Sequence, residues 1–182
     1  MEDTTVSIIG IIIAAVLMFM VPLYTIADRN DDISQLTVQT ETALFVDNII
    51  RLGKITATDY QQYISNLNAS GNTYDIEMEL KILDTNLTKR VTTQVDSSKI
   101  GENVYYSLYT SQIEDKLIQD ETENPGKGVI LLKEGDRISV TAKNSSKTLS
   151  QSLKSFYYTI SGSDLHIISG SSSGTIAVNG TT

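Results

Sequence analysis

The chain has no cysteine and no tryptophan, and only one histidine and two prolines in 182 residues. Without cysteine there is no disulfide framework, no zinc-finger or iron–sulfur ligation and no thiol nucleophile. With His166 as the one imidazole, a His-rich metal site is excluded, and a Ser/His/Asp triad would depend on that residue alone. Cations are also scarce: 14 Lys+Arg against 22 Asp+Glu give a formal net charge of −8. A nucleic-acid binder carries the opposite excess, to neutralise phosphates, so no nucleic-acid partner is expected.

What the chain does have is one long apolar run. Residues 6–26 read VSIIGIIIAAVLMFMVPLYTI, without a single charge. A helix of that length spans about 30 Å, the thickness of a hydrocarbon core. Glu2 and Asp3 precede it; Asp28, Arg29, Asp31 and Asp32 follow it. Tyr24 near one end suits a membrane interface. The pattern predicts a transmembrane anchor over 1–30. Two other readings stay open, a buried core helix and a cleaved signal peptide. Thr25-Ile26-Ala27 would tolerate cleavage, but no Lys or Arg precedes the run, and it exceeds a usual signal-peptide apolar core. Pro22 removes one backbone donor and is expected to bend the helix. The Ser/Thr/Asn-rich, cysteine-free remainder points to a single-pass protein of the cell membrane with its head outside the cytoplasm.

Residues 31–182 read as that head. Ile33, Leu36, Thr40, Ala43, Leu44, Asp47 and Ile50 follow 3–4 spacing, so 31–53 is expected to continue the anchor as an amphipathic helix lying on the head and ending at Gly53. Thr56 or Thr58 caps a second helix with Tyr60, Tyr63, Ile64 and Leu67 as its stripe and Gly71 beyond its end. Residues 74–82 alternate strictly and predict a half-buried antiparallel strand. A short return strand is expected at 91–95, and a helix at 105–118 with Tyr106, Tyr109, Ile113 and Leu117 on one side. Asn124-Pro125-Gly126-Lys127-Gly128 breaks the chain. Strands follow at 129–132 and 137–142. Ser145 or Ser146 would cap a helix through Tyr158, with Leu149, Leu153, Phe156 and Tyr157 inward. Strands at 165–168 and 175–178 would close the chain around the polar run 169–174. The fold class is α+β: a long N-terminal helix, then a small head of mostly antiparallel sheet and short helices.

Candidate chemistry fails residue by residue. His166 alternates within an expected apolar strand. Asp28, Asn30 and Asp32 open a calcium-loop pattern, but its glycine position is Ile33 and its closing glutamate position is Gln39, leaving a solvated acidic patch. Glu114, Asp115, Asp120, Glu121 and Glu123 read as solvated charge. No phosphate-loop or dinucleotide glycine pattern occurs. In so Ser/Thr-rich a chain, the triplets at Asn68, Asn86, Asn144 and Asn179 match the glycosylation pattern by chance. No catalytic residue, metal, cofactor or small-molecule substrate is assigned, and the chain reads as a non-enzyme.

Three stretches carry a resemblance: FVDNIIRLGKITATDYQQYISNLNASGNTYDIEMEL (45–80), EGDRISVTAKNSSKTLSQSLKSFYY (134–158) and SGTIAVNG (173–180). Behind a proline-containing apolar helix, they resemble the TadE-like pseudopilins, type IV pilin-like proteins found beside Tad-type (Flp) pilus machinery in Gram-positive, clostridia-like bacteria. The resemblance implies a pilin-like fold and a membrane-anchored subunit or assembly factor of a pilus or secretion apparatus. Its expected partners are the membrane, further copies, other pilin-like subunits and the assembly machinery, and it places the chain in a cell-surface filament. Nothing basic precedes Gly10, and the glutamate of standard prepilins is Ala15 here, which favours a minor, unprocessed pseudopilin. The candidate anchor and assembly residues are Val6, Ile9, Gly10, Ile13, Ala14, Ala15, Leu17, Met18, Pro22 and Tyr24, with Gly10 and Ala14 forming a small-xxx-small pair. The alternative is a membrane-tethered extracytoplasmic binding or sensing domain that does not polymerise.

Overall fold

The computed structural model describes residues 2–83, 105–123, 128–152 and 167–181. In chain order its elements are α1 (Glu2–Leu52), β1 (Lys54–Thr56), α2 (Ala57–Asn68), β2 (Tyr74–Leu83), β3 (Tyr105–Tyr109), α3 (Thr110–Glu123), β4 (Val129–Leu131), β5 (Arg137–Asn144) and β6 (Ser169–Thr175). The expected α+β layout holds: a long apolar helix leads into a small domain of antiparallel sheet and short helices. The expected elements at 91–95 and 153–158, and His166, lie outside the described residues.

Helix α1 runs 51 residues, about 77 Å, and continues through Pro22. It stops where a glycine is needed twice. Gly53 has φ 65°, the left-handed conformation that closes helices, and its N–H bonds to Ile49 O at 2.8 Å. A Cβ there would also lie 2.6 Å from the Gly180 nitrogen, because the C-terminal tail passes over this corner. Strand β1 starts at once and pairs antiparallel with β4, burying Ile55 against Ile130. Three-residue strands carry too little periodicity to be read from sequence, and β1 was not expected.

Thr56 caps α2 as expected: its Oγ1 accepts from Asp59 N at 3.0 Å and donates to Asp59 Oδ2 at 2.6 Å. Tyr60, Tyr63 and Leu67 then point into the core. The main sheet has the order β3-β2-β5-β6, antiparallel throughout. Met78 and Leu80 of β2 stand opposite Val140 and Ile138 of β5, and all four are buried.

Two expectations are corrected within this sheet. Residues 105–109 form strand β3 on the edge of β2, and the helix begins at Thr110. The 3–4 spacing of the tyrosines competes with an open sheet edge that favours aromatic residues, and the edge wins. Thr110 makes the junction by accepting from Met78 N at 2.7 Å. Tyr106 and Tyr109 are exposed, whereas Ile113 and Leu117 pack inward as expected.

The second correction concerns the polar run. Ser169–Thr175 is itself the fourth strand, while 167–168 and 176–178 are not strands. Gly170 and Gly174 face α1 across a very short gap: a Cβ on Gly170 would sit 2.7 Å from the Val38 carbonyl oxygen, and one on Gly174 would meet the Ile50 side chain. The strand is built of small residues because a helix backbone lies directly on it. Gln35 ties the two together, donating to Ser169 O at 2.7 Å and accepting from Ser169 N at 2.9 Å.

A helical turn over 149–152 is capped by Thr148, which accepts from Gln151 N at 3.1 Å. Ser146 is engaged instead by Asn144 Oδ1 at 2.9 Å. Leu149 faces out, 64% exposed, contrary to the inward orientation expected for it. Thr148 and Ser150 take the buried side because α1 presents carboxylates there.

Candidate functional site: the faces of the first helix

The residues expected to form the anchor are presented as one exposed apolar column. Val6, Ile9, Gly10, Ile13, Ala14, Ala15, Leu17, Met18 and Pro22 are all exposed, Met18 by 75%, and nothing lies within 4 Å of a Cβ placed on Gly10. Tyr24 is the exception and is half-buried, as is Met20. The segment is long and apolar enough to cross a membrane.

Above residue 26 the helix meets the head, but not through the stripe expected from spacing. The buried face is Ala27, Ser34, Val38, Thr42, Phe45, Val46 and Ile49. The expected stripe lies on the other side: Ile33, Leu36, Thr40, Ala43, Leu44 and Asp47 are exposed, and Ile50 is half-buried. Both sets repeat every three to four residues, so periodicity alone cannot say which faces the head. The sheet selects the face that offers small or matching groups. Val38 seats on Gly170, Thr42 shares a 2.9 Å hydrogen bond with the Tyr63 hydroxyl, and the Phe45 ring stacks on Tyr63 with centroids 4.4 Å apart.

The rejected stripe remains apolar and open. Ile26, Ile33, Leu36 and Leu44 are each more than half exposed. At 100° per residue they fall on the side of α1 that also carries Ile8, Ala15, Phe19 and Pro22, so exposed apolar residues recur on one side from the apolar segment along the head half, with Arg29 and Thr40 between them.

The acidic cluster after the run is helical, so Asp28–Asp32 forms no cation loop. It is also less solvated than expected. Asp31 Oδ2 accepts from Thr148 Oγ1 at 2.9 Å, and Asp28 Oδ1 lies 3.5 Å from Ser150 Oγ.

A second feature, unmarked by any motif, is a groove of about 300 Å³ lined by Tyr60, Ile64, Tyr74, Ile76, Thr110 and Glu114. Glu114 is therefore not simply solvated: its Oε1 accepts from the Tyr60 hydroxyl. Burial, reinforced by that carboxylate, raises the Tyr60 pKa above the ordinary tyrosine value, and burial does the same at Tyr63. No signal in the sequence could pair residues 60 and 114, which only the packing of α2 and α3 brings together. The side chains of Asp120, Glu121 and Glu123 lie outside the described ones.

The three stretches that carry the family resemblance are neighbours in space. Strand β5, from the second, lies between β2, most of which belongs to the first, and β6, whose last three residues belong to the third, and Gly53 of the first lies against Gly180 of the third. Comparison of the chain with family models, curated proteins and solved structures finds no match.

Proposed function

We propose that the protein is a membrane-anchored, pilin-like subunit or assembly factor that works by helix-mediated association, with its head outside the cytoplasm and no catalytic role. One observation carries this reading: the exposed apolar stripe of α1 does not stop with the apolar run but continues through Ile33, Leu36 and Leu44. A simple anchor needs apolar residues only in lipid. A stripe that extends about 27 Å beyond Ile26, as far as Leu44, gains by packing against another helix of the same kind. Gly10 and Ala14 would allow close helix approach lower down, on a different side of α1 from this stripe.

The test is a double substitution outside the apolar run, Leu36→Lys with Leu44→Lys, in the full chain. Light scattering of the detergent-solubilised protein is expected to show loss of higher-order assemblies, with membrane insertion and head folding unchanged. Unaltered assembly in the variant, or a wild-type protein monomeric at every concentration, would defeat the reading.

The groove beside Tyr60 and Glu114 favours a second reading, a tethered binding or sensing domain. A monomeric full chain whose melting temperature rises with a ligand would support it.

A further inference from the structure

We infer that the head is seated on the lipid surface itself, with the turn over 147–152 lying in the bilayer interface beside the point where α1 leaves it. The inference rests on reading residues 6–26 as a membrane span and goes beyond it by assigning a membrane-contact surface to the head. The first residue past the apolar run, Ala27, is already covered by the head and only 4% exposed. Two further contacts are made at once. Asp28 reaches Ser150 and Asp31 reaches Thr148, and both partners are buried.

Along the helix axis Asp28 is about 3 Å beyond Ile26 and Asp31 about 7.5 Å beyond it. The headgroup zone on each side of a bilayer is about 5–8 Å deep. The 148–150 contact therefore falls within that zone rather than above it.

The chemistry of the turn suits that depth. Leu149 is 64% exposed and Lys147 is exposed. In water the exposed leucine gains nothing. At an interface it enters the acyl boundary while the lysine reaches up to phosphate. The inner side of the turn offers hydroxyls to Asp28 and Asp31, which satisfies two carboxylates where water is scarce. With Asp28, Asp31 and Asp32 against Arg29 and Lys147, the rim has no cationic excess among the described residues. The matching occupant is a zwitterionic phospholipid surface rather than an anionic one.

The absence of tryptophan and cysteine makes the test direct. Single-tryptophan variants Phe19→Trp, Leu149→Trp and Leu44→Trp of the full chain are placed in phosphatidylcholine nanodiscs containing spin-labelled lipid. Phe19→Trp is expected to be quenched by a label deep in the acyl chains, and Leu149→Trp by a label near the headgroup, with blue-shifted emission. Leu44→Trp, about 27 Å past Ile26, is expected to stay unquenched. Quenching at 19 without quenching at 149 overturns the seat and leaves the span intact. Equal quenching at 44 and 149 overturns it too, because the head would then lie flat. No quenching at 19 removes the span and the seat together. Should tryptophan at 149 disturb the turn, a spin label on Leu149→Cys reads the same depth: greater accessibility to oxygen than to a water-soluble nickel chelate supports the seat, and the reverse overturns it.

Discussion

The two halves of α1 are one helix in two surroundings. From 4 to 26 it is apolar on every side and exposed on nearly all of them. From 27 to 52 it carries two apolar faces, one sealed by the sheet and α2, the other open. The difference teaches that amphipathicity in the upper half is not a division between core and water. Polar flanks separate two apolar faces, and the chain's own head supplies a partner to only one. In the function proposed above, the open apolar face that continues the line of the lower half is the one that takes a neighbouring helix.

Substitutions on the two faces should separate them sharply. Ile49 is wholly buried, so Ile49→Ala is expected to cost the head about 2–5 kcal/mol in urea unfolding of the detergent-solubilised chain. Gly170→Val comes next. The added side chain meets the Val38 carbonyl of α1, a backbone atom that cannot turn away, and the expected loss is about 1–3 kcal/mol. A loss below that range would mean that α1 lifts off β6 without penalty.

Alkaline pH probes the α2 side that supports the sealed face. Tyr60 and Tyr63 hold their protons more tightly when folded than at the unfolded value of 10.0. Below that pH the stability they contribute is intact. As pH rises above it, the unfolded chain releases protons that the folded chain keeps, and stability falls by up to about 1.4 kcal/mol per pH unit for each tyrosine. Tyr60→Phe is expected to flatten that slope, measured by urea midpoints across the alkaline range. The smallest effect belongs to the open face. Leu44→Ala should change head stability by no more than about 0.5 kcal/mol, despite removing as large a side chain as the costly change at Ile49.

Much of the architecture was legible because its signals are local. The apolar run, the continuation of its helix to Gly53, the Thr56 cap and the alternation of β2 each depend on neighbours within a few residues. The misreadings share a different cause. Tyr105–Tyr109 follows a helical spacing but pairs with Leu83–Glu79, more than twenty residues earlier in the chain. Ser169–Thr175 has the composition of a loop and becomes a strand because α1 needs a surface without side chains. The candidate groove was invisible for the same reason, since Tyr60 and Glu114 are 54 residues apart.

The absence of cysteine settled by itself that the chain has no disulfide, thiolate ligand or thiol nucleophile, because folding cannot supply a side chain the sequence lacks. Its longest pattern, the uncharged run before Asp28, likewise determined a helix long enough to cross a bilayer, since backbone hydrogen bonds there are all internal to the segment. Tertiary structure alone decided which face of that helix the head would cover. Two stripes of equal period compete for the sheet, and the choice falls to Gly170, Tyr63 and Thr148, residues remote in sequence whose size and hydrogen-bonding groups match one stripe and not the other.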